Sequence, residues 1–222
     1  PLYSSAASDV YKRQEEILRH MNSREETVQT YEKMTGEIQD TFEQEAFDPE
    51  QDGIRYSSDI RSMTGFYKQL GLMKSLAREE NYEIPIEIDG LLTAINLKVI
   101  HNEQEEGRVA ITFTSEPFGK TAAEFRLTEQ GLSGYCTCEK EAGKALLEEH
   151  KAEWQEQLVK EGIQPGAVYF TNTNSLNLKD FNKNQTKEQK SGSKADSVQL
   201  YRAAKAFIAF VRQTGDTERK SI

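Results

Sequence analysis

Cysteine is almost missing from this chain: 222 residues carry two, Cys136 and Cys138. That excludes a disulfide framework. The two lie two apart on a stretch with strand periodicity and so share one face, where a bridge between them would be strained. They read as two small buried thiols. Histidine is also scarce. His20, His101 and His150 are scattered and have no ligand spacing, whereas a structural zinc site takes about four ligands. No apolar run approaches the roughly 20 residues that a membrane-spanning helix needs. Basic residues are outnumbered, 28 Lys and Arg against 37 Asp and Glu, for a net charge of −9. This argues against nucleic-acid binding, because phosphate contacts need clustered cations.

The residue patterns of catalysis are missing too. There is no Gly-rich phosphate loop; Gly131 and Gly134 fall in a hairpin pattern with no helix start beneath them. There is no Ser/His/Asp or Cys/His arrangement at suggestive spacing. The carboxylate pairs Glu79-Glu80 and Glu148-Glu149 read as water-facing, without an apolar pocket to shift a pKa. The expectation is a chain that is not an enzyme and takes no cofactor, metal or small-molecule ligand.

What is present divides into six stretches. Residues 1–14, PLYSSAASDVYKRQ, show neither helical nor strand periodicity. SSAASDVYKRQ back-translates into the adapter and transposon end of a common DNA-sequencing library. These residues are therefore expected to be a non-native tail, with the native N-terminus upstream, and are set aside. Residues 15–81 read as a helical segment. Ser23 with Glu26 forms a capping-box pattern, and Val28, Tyr31, Thr35, Ile38 and Phe42 recur at helical spacing over 15–47. Asp48-Pro49 and Asp52-Gly53 supply turn chemistry. A second helix is expected over 58–80, with Ile60, Met63, Tyr67, Leu70, Met73 and Ala77 as its stripe.

From Tyr82 the period changes to two. Strands are expected over Glu83–Ile88, Thr93–His101, Arg108–Ser115, Lys120–Thr128 and Leu132–Cys138. A helix follows over Glu139–Glu161, then a strand over Ala167–Thr173. Pro85 suits an edge strand, Asp89-Gly90 a hairpin turn, and Gly162 a left-handed helix terminus. The fold class expected for 82–178 is α+β: an antiparallel sheet of about six strands with a long helix packed on one face. Residues 179–196 read as a flexible linker, since NKNQTKEQKSGSKA holds only alanine as an apolar residue. Residues 197–213 form a strongly apolar C-terminal helix with Leu200, Ala204, Phe207, Ile208 and Val211 in its stripe. Its face must be buried, on its own sheet or on a partner. Residues 214–222 read as a disordered tail.

The block from Val109 to Phe170 carries a family pattern, including the run ITFTSEPFGKTAAEFRLTEQGLSGYCTCEKEAGKALLEEHKAEWQEQLVKEGIQPGAVYF. It resembles the C-terminal domain of flagellar hook-length control proteins: strand, short loop ending in an apolar residue and Gly, strand, Gly turn, strand, long helix, Gly, strand. Phe118-Gly119-Lys120 matches the step into the family's second strand. Gln130-Gly131-Leu132-Ser133 matches its hairpin, and Leu158–Gly162 its helix end. The chain departs from the pattern at Ser115, where the family usually has Pro, and in the strands over 83–101 and the helix over 196–212. These additions resemble a bacterial domain of undefined function found attached to such proteins.

The resemblance implies a regulatory role in the bacterial cytoplasm, with export through the flagellar type III apparatus. The domain would contact the cytoplasmic domain of the export gate and switch the class of exported substrate. The expected contact surface is the loop Glu116, Pro117, Phe118, Gly119 and Lys120, because loops that interrupt a rigid sheet carry recognition. For Phe118, capping the core is the other role open. The alternative for the whole chain is a general interaction or structural α+β domain unrelated to flagella.

Overall fold

Apolar residues at every second position from Tyr82 onward build one six-stranded sheet in a computed structural model, which describes residues 16–46, 71–72, 74–100, 107–184 and 194–218. The strands are β1 (Asn81–Ile88), β2 (Leu91–Ile100), β3 (Arg108–Ser115), β4 (Gly119–Thr128), β5 (Gly131–Cys138) and β6 (Pro165–Asn172). They lie in the order β1-β2-β3-β4-β5-β6. The first five pair antiparallel, each with the next in sequence. The sixth pairs parallel to β5, because a helical crossover carries the chain back to the starting end of the sheet. The fold is thus the expected α+β sheet with one parallel pair at its end.

One sheet face is apolar throughout. It is made by Ile84, Ile86 and Ile88, by Ile95, Leu97 and Val99, and by Val109, Ile111 and Phe113, continuing through Phe125, Cys136 and Phe170 to the far edge. Three helices cover this face: α2 (Glu141–Glu149), α3 (Lys151–Lys160) and α5 (Lys194–Glu218), while α1 (Arg24–Ala46) packs at the β1 end. α5 settles the question of what its apolar stripe meets. Leu200, Tyr201, Ala204, Phe207, Ile208 and Val211 are all buried in the core shared with the sheet.

Several boundaries differ from the sequence expectation, each for a local reason. The helix expected over Glu139–Glu161 breaks at His150, which leaves helical geometry (φ −93°, ψ 9°). The imidazole Nδ1 lies 2.9 Å from the Glu153 carboxylate there. α3 ends as expected at Gly162 (φ 75°). The Ile163 amide donates to the Leu158 carbonyl at 2.9 Å and the Gly162 amide to Val159 at 3.0 Å, the paired bonds of a Schellman terminus.

The stretch read as a linker begins instead with a short helix, α4 (Leu178–Asn184). Asn177 caps it: its Oδ1 accepts from the Lys179 amide at 3.1 Å, and its Nδ2 donates to Asp180 at 2.7 Å. α5 is longer than expected at both ends and runs through 214–218, part of the expected tail. The expectations for 1–14, the 48–53 turn, most of the 58–80 helix and residues 185–193 lie outside the described residues.

Strand edges invite unwanted pairing, and both edges here are guarded. Pro85 on β1 has no amide hydrogen to offer. Tyr31 of α1 donates its hydroxyl to the Glu83 carbonyl at 3.0 Å, and Asp216 accepts from the Asp89 amide at 2.9 Å. On β6, Lys151 Nζ donates to the Val168 carbonyl at 2.6 Å.

α1 starts as the capping pattern predicts, with the Glu26 amide donating to Ser23 Oγ at 3.2 Å. The Glu26 carboxylate, however, takes the Asn22 side-chain amide at 3.0 Å, so only half of the reciprocal box forms. The helix buries Tyr31 and Met34 in the core, and polar contacts fix its position. Glu80, expected to face water, is 6% exposed and adopts a left-handed φ of 58°. The Val99 amide pins its carbonyl at 3.0 Å, and Arg24 Nε lies 3.0 Å from its carboxylate. Next to this pair the buried Tyr82 and Tyr201 hydroxyls bond each other at 2.7 Å.

Two measurements test this packing. Phe207 is fully buried, 4.8 Å from the Phe125 ring centroid and 5.5 Å from Trp154. Phe207→Ala should destabilise the fold by about 3–5 kcal/mol in denaturant unfolding. An unchanged midpoint would mean that α5 does not rest on the sheet.

Burial raises the Tyr31 hydroxyl to about 12, and burial likewise pushes Tyr82 and Tyr201 up. Unfolded tyrosine ionises near ~10. These phenols therefore favour the folded state fully below that pH, and their contribution is lost as pH rises toward their folded values. Phenolate absorbance should show Tyr31, Tyr82 and Tyr201 ionising only together with alkaline unfolding. Ionisation of all nine tyrosines in one early step would contradict the buried cluster.

Candidate functional site

The loop expected to make contacts is the tight turn between β3 and β4, where Ser115 pairs with Gly119. Gly119 adopts a φ of 68°, the left-handed conformation that glycine enters without strain. Five consecutive residues separate into two roles. Pro117, Phe118 and Gly119 are buried, while Glu116 and Lys120 project into water. Phe118 is fully buried, and its ring meets Phe113 edge-on at 6.1 Å. It caps the core and offers nothing to a partner.

The start of α2 holds the turn by a double clamp. Lys140 Nζ donates to the Glu116 carbonyl at 2.6 Å and to its carboxylate at 2.9 Å. Lys120 Nζ donates to Glu139 at 2.8 Å, and the Lys120 amide donates to the same carboxylate at 3.1 Å. Backbone bonds reinforce it, from Glu139 N to the Lys120 carbonyl at 2.8 Å and from Lys140 N to the Phe118 carbonyl at 3.2 Å. The Lys140 hydrogen bond holds the Glu116 carboxyl below the usual range, and Lys120 does the same for Glu139. The result is a square of two carboxylates and two ammonium groups. It is neutral overall, fixed in pattern, and open to water: Glu116 and Lys120 side chains are 71% and 47% exposed.

Gly143 makes the clamp possible. A Cβ at this position would lie 2.7 Å from Phe118 Cα and 2.8 Å from the Pro117 carbonyl, so α2 lies directly against the turn backbone.

A second surface feature lies on the opposite sheet face, near β6. Tyr135 and Tyr169 are register partners, 41% and 67% exposed. Thr137 and Thr171 bond each other beside them at 2.9 Å. Glu124 lies 2.9 Å from Arg126 and 3.7 Å from Arg108. Alternation around Cys136 places Tyr135 outward from sequence alone. Its pairing with Tyr169 was not readable, because it depends on the parallel register of β5 and β6.

The two cysteines are buried and unbridged. The Cys136 thiol donates a side-chain hydrogen bond to Cys138, and this bond together with burial holds Cys136 well above its usual range, away from the thiolate form that nucleophilic chemistry needs. Among the described residues no group of three or more His, Cys, Asp or Glu could hold a metal ion, and no helix is long and apolar enough to cross a membrane. No protein-family model, curated protein or solved structure matches the chain.

The close approach at Gly143 can be tested directly. Alanine inside a helix ordinarily stabilises relative to glycine by about 1 kcal/mol. Gly143→Ala should instead lower the thermal midpoint, since the new methyl group meets backbone atoms that cannot rotate away. A stabilised variant would show that α2 does not bear on the turn.

Proposed function

We propose that this chain is a non-enzymatic regulatory domain of the flagellar hook-length control kind. In this reading it acts in the bacterial cytoplasm by contacting the cytoplasmic domain of the type III export gate, and so switches the class of exported substrate. The observation that supports the reading is the order of elements over 109–170. β3, a turn ending in Phe118-Gly119, β4, the Gly131 turn, β5, the α2–α3 crossover, Gly162 and β6 follow one another as the family pattern has them.

The contact surface is narrower than the loop as a whole. Glu116 and Lys120 are its exposed members, and Lys140 and Glu139 complete the charge square. A fixed pattern of alternating charge gives specificity and register more than raw affinity. That suits a partner which must be engaged once and released. Phe118→Asp would therefore disrupt the core and say nothing about contact.

The test is calorimetric titration of the whole chain with a purified export-gate cytoplasmic domain. The parent chain should bind. The double variant Glu116→Lys with Lys120→Glu should bind at least about tenfold more weakly. Its thermal midpoint should fall only slightly, because the like-charge pairs it creates with Lys140 and Glu139 lie in water, where charge interactions are weak, and the backbone bonds of the clamp remain. No binding by the parent chain would overturn the reading, and equal binding by the variant would remove this turn from it.

A further inference from the structure

The exposed side of α5 carries a second arrangement that the charge square does not involve. Lys205, Ala209, Arg212 and Asp216 recur at intervals of four, three and four along the helix, on the side turned away from Leu200, Ala204, Phe207 and Val211. Beside them runs the helical turn over 16–20, whose Ile17 is buried in the core and so fixes the direction of its neighbours Leu18 and Arg19. Between the two lies a cleft of about 540 Å³ lined by Leu18, Arg19 and the α5 residues, with Gln213. That volume is in the range of ligand sites, roughly 300–1,000 Å³. The cleft exists because position 209 is alanine: one methyl group lies between the long side chains of Arg19, Lys205 and Arg212.

The lining has a sign. Arg19, Lys205 and Arg212 stand against Asp216. Lys205 also faces Glu161 at 3.6 Å and donates to Asn22 Oδ1 at 3.1 Å. Among the residues that line the cleft, cations outnumber acids, in a chain whose net charge is −9. Asp216 is itself committed, accepting from the Asp89 amide at 2.9 Å. From Lys205 to Arg212 is about 10 Å along the helix, and to Asp216 about 16 Å. Carboxylates spaced along an extended segment can span such a distance, at about 3.3 Å per residue, where one compact anion cannot. Leu18 and Ala209 give the floor an apolar spot for one side chain between the charges.

We propose that this cleft binds an extended acidic peptide segment of a partner protein, about five residues long, with carboxylates on Arg19, Lys205 and Arg212 and an apolar side chain over Ala209. Arginine forks hold carboxylates in bidentate geometry. The rest of the chain repels an acidic ligand, so attachment depends on this cleft. The inference is independent of the export-gate reading, because it uses none of the turn residues.

The probe is a fluorescein-labelled, acetylated peptide of sequence Glu-Leu-Glu-Glu-Ala, followed by anisotropy with the whole chain. The parent should bind it, and raised salt should weaken binding. Arg19→Glu removes a cation, and Ala209→Phe fills the floor. Both positions are exposed, so the thermal midpoint should hold while affinity falls at least about tenfold in each. Unlabelled peptide should displace the probe, and inorganic phosphate at equal concentration should not. No binding by the parent would overturn the proposal, as would unchanged binding by both variants. Equal displacement by phosphate would make the cleft a small-anion site and overturn the peptide as its occupant.

Discussion

Everything else in this fold depends on one contact, the seating of the last helix against the buried indole of Trp154. Phe210 stacks on that ring at 5.6 Å with planes 17° apart, and Phe207 meets it edge-on at 5.5 Å. Phe125 of β4 and Phe170 of β6 close the cluster at 5.2 and 6.3 Å. A helix near the end of the sequence, the crossover, a central strand and an edge strand are thus joined at one point. Aromatic pairs in such geometry add about 0.5–1.5 kcal/mol each beyond the area they bury. Trp154 Nε1 has no hydrogen-bond partner among the described residues, a cost of about 1–3 kcal/mol that this ring packing must offset. The charge square follows from the same seating, because Gly215 near the end of α5 packs against Ile88 and the Pro117 and Phe118 side chains. The turn is rigid because α5 lies behind it and α2 beside it.

The polar contacts at the other end of the molecule serve a different purpose. Burying Tyr82, Tyr201 and Glu80 together costs more than burying hydrocarbons of the same volume would. What the arrangement gives is register. Arg24 meets both the Glu80 carboxylate, at 3.0 Å, and the Arg78 carbonyl, at 2.9 Å, while Tyr31 finds the Glu83 carbonyl about two turns of helix further on. A helix held mainly by apolar contact could slide along the β1 edge. These three bonds fix where α1 sits, and they close that edge.

Much of the fold was legible because strand periodicity is a local signal. Ile84, Ile86 and Ile88, or Val109, Ile111 and Phe113, announce both the strand and its inward face. Gly162 announced its helix terminus for the same reason, since φ > 0 after a helix is a local demand. The parallel pairing of β6 was not legible: a crossover and a hairpin can start from similar residues, and only packing of α2 and α3 decides between them. Glu80 was misread because its neighbour Glu79 is exposed, and nothing in the pair shows which carboxylate meets an arginine 56 positions upstream. α4 was hidden by composition. Its cap at Asn177 was present, but the polar residues around it outweighed that single signal.

The candidate contact loop divides along the same line. Proximity in sequence suggested that Glu116 to Lys120 act together, yet the alternation of a tight turn sends the middle three inward and the outer two outward. A recognition surface on a small sheet domain must be rigid to be specific and exposed to be useful. Here one turn meets both needs by giving its apolar residues to the core and its charges to water. The cleft on α5 divides the work in the same way around a helix: Phe207, Ile208 and Phe210 bind it to the sheet, and the side left over carries Lys205, Ala209 and Arg212. Where the rest of an acidic chain repels anions, three cations fixed around one small residue are enough to set a local sign. The packing that stabilises the domain is therefore also what fixes those charges in place.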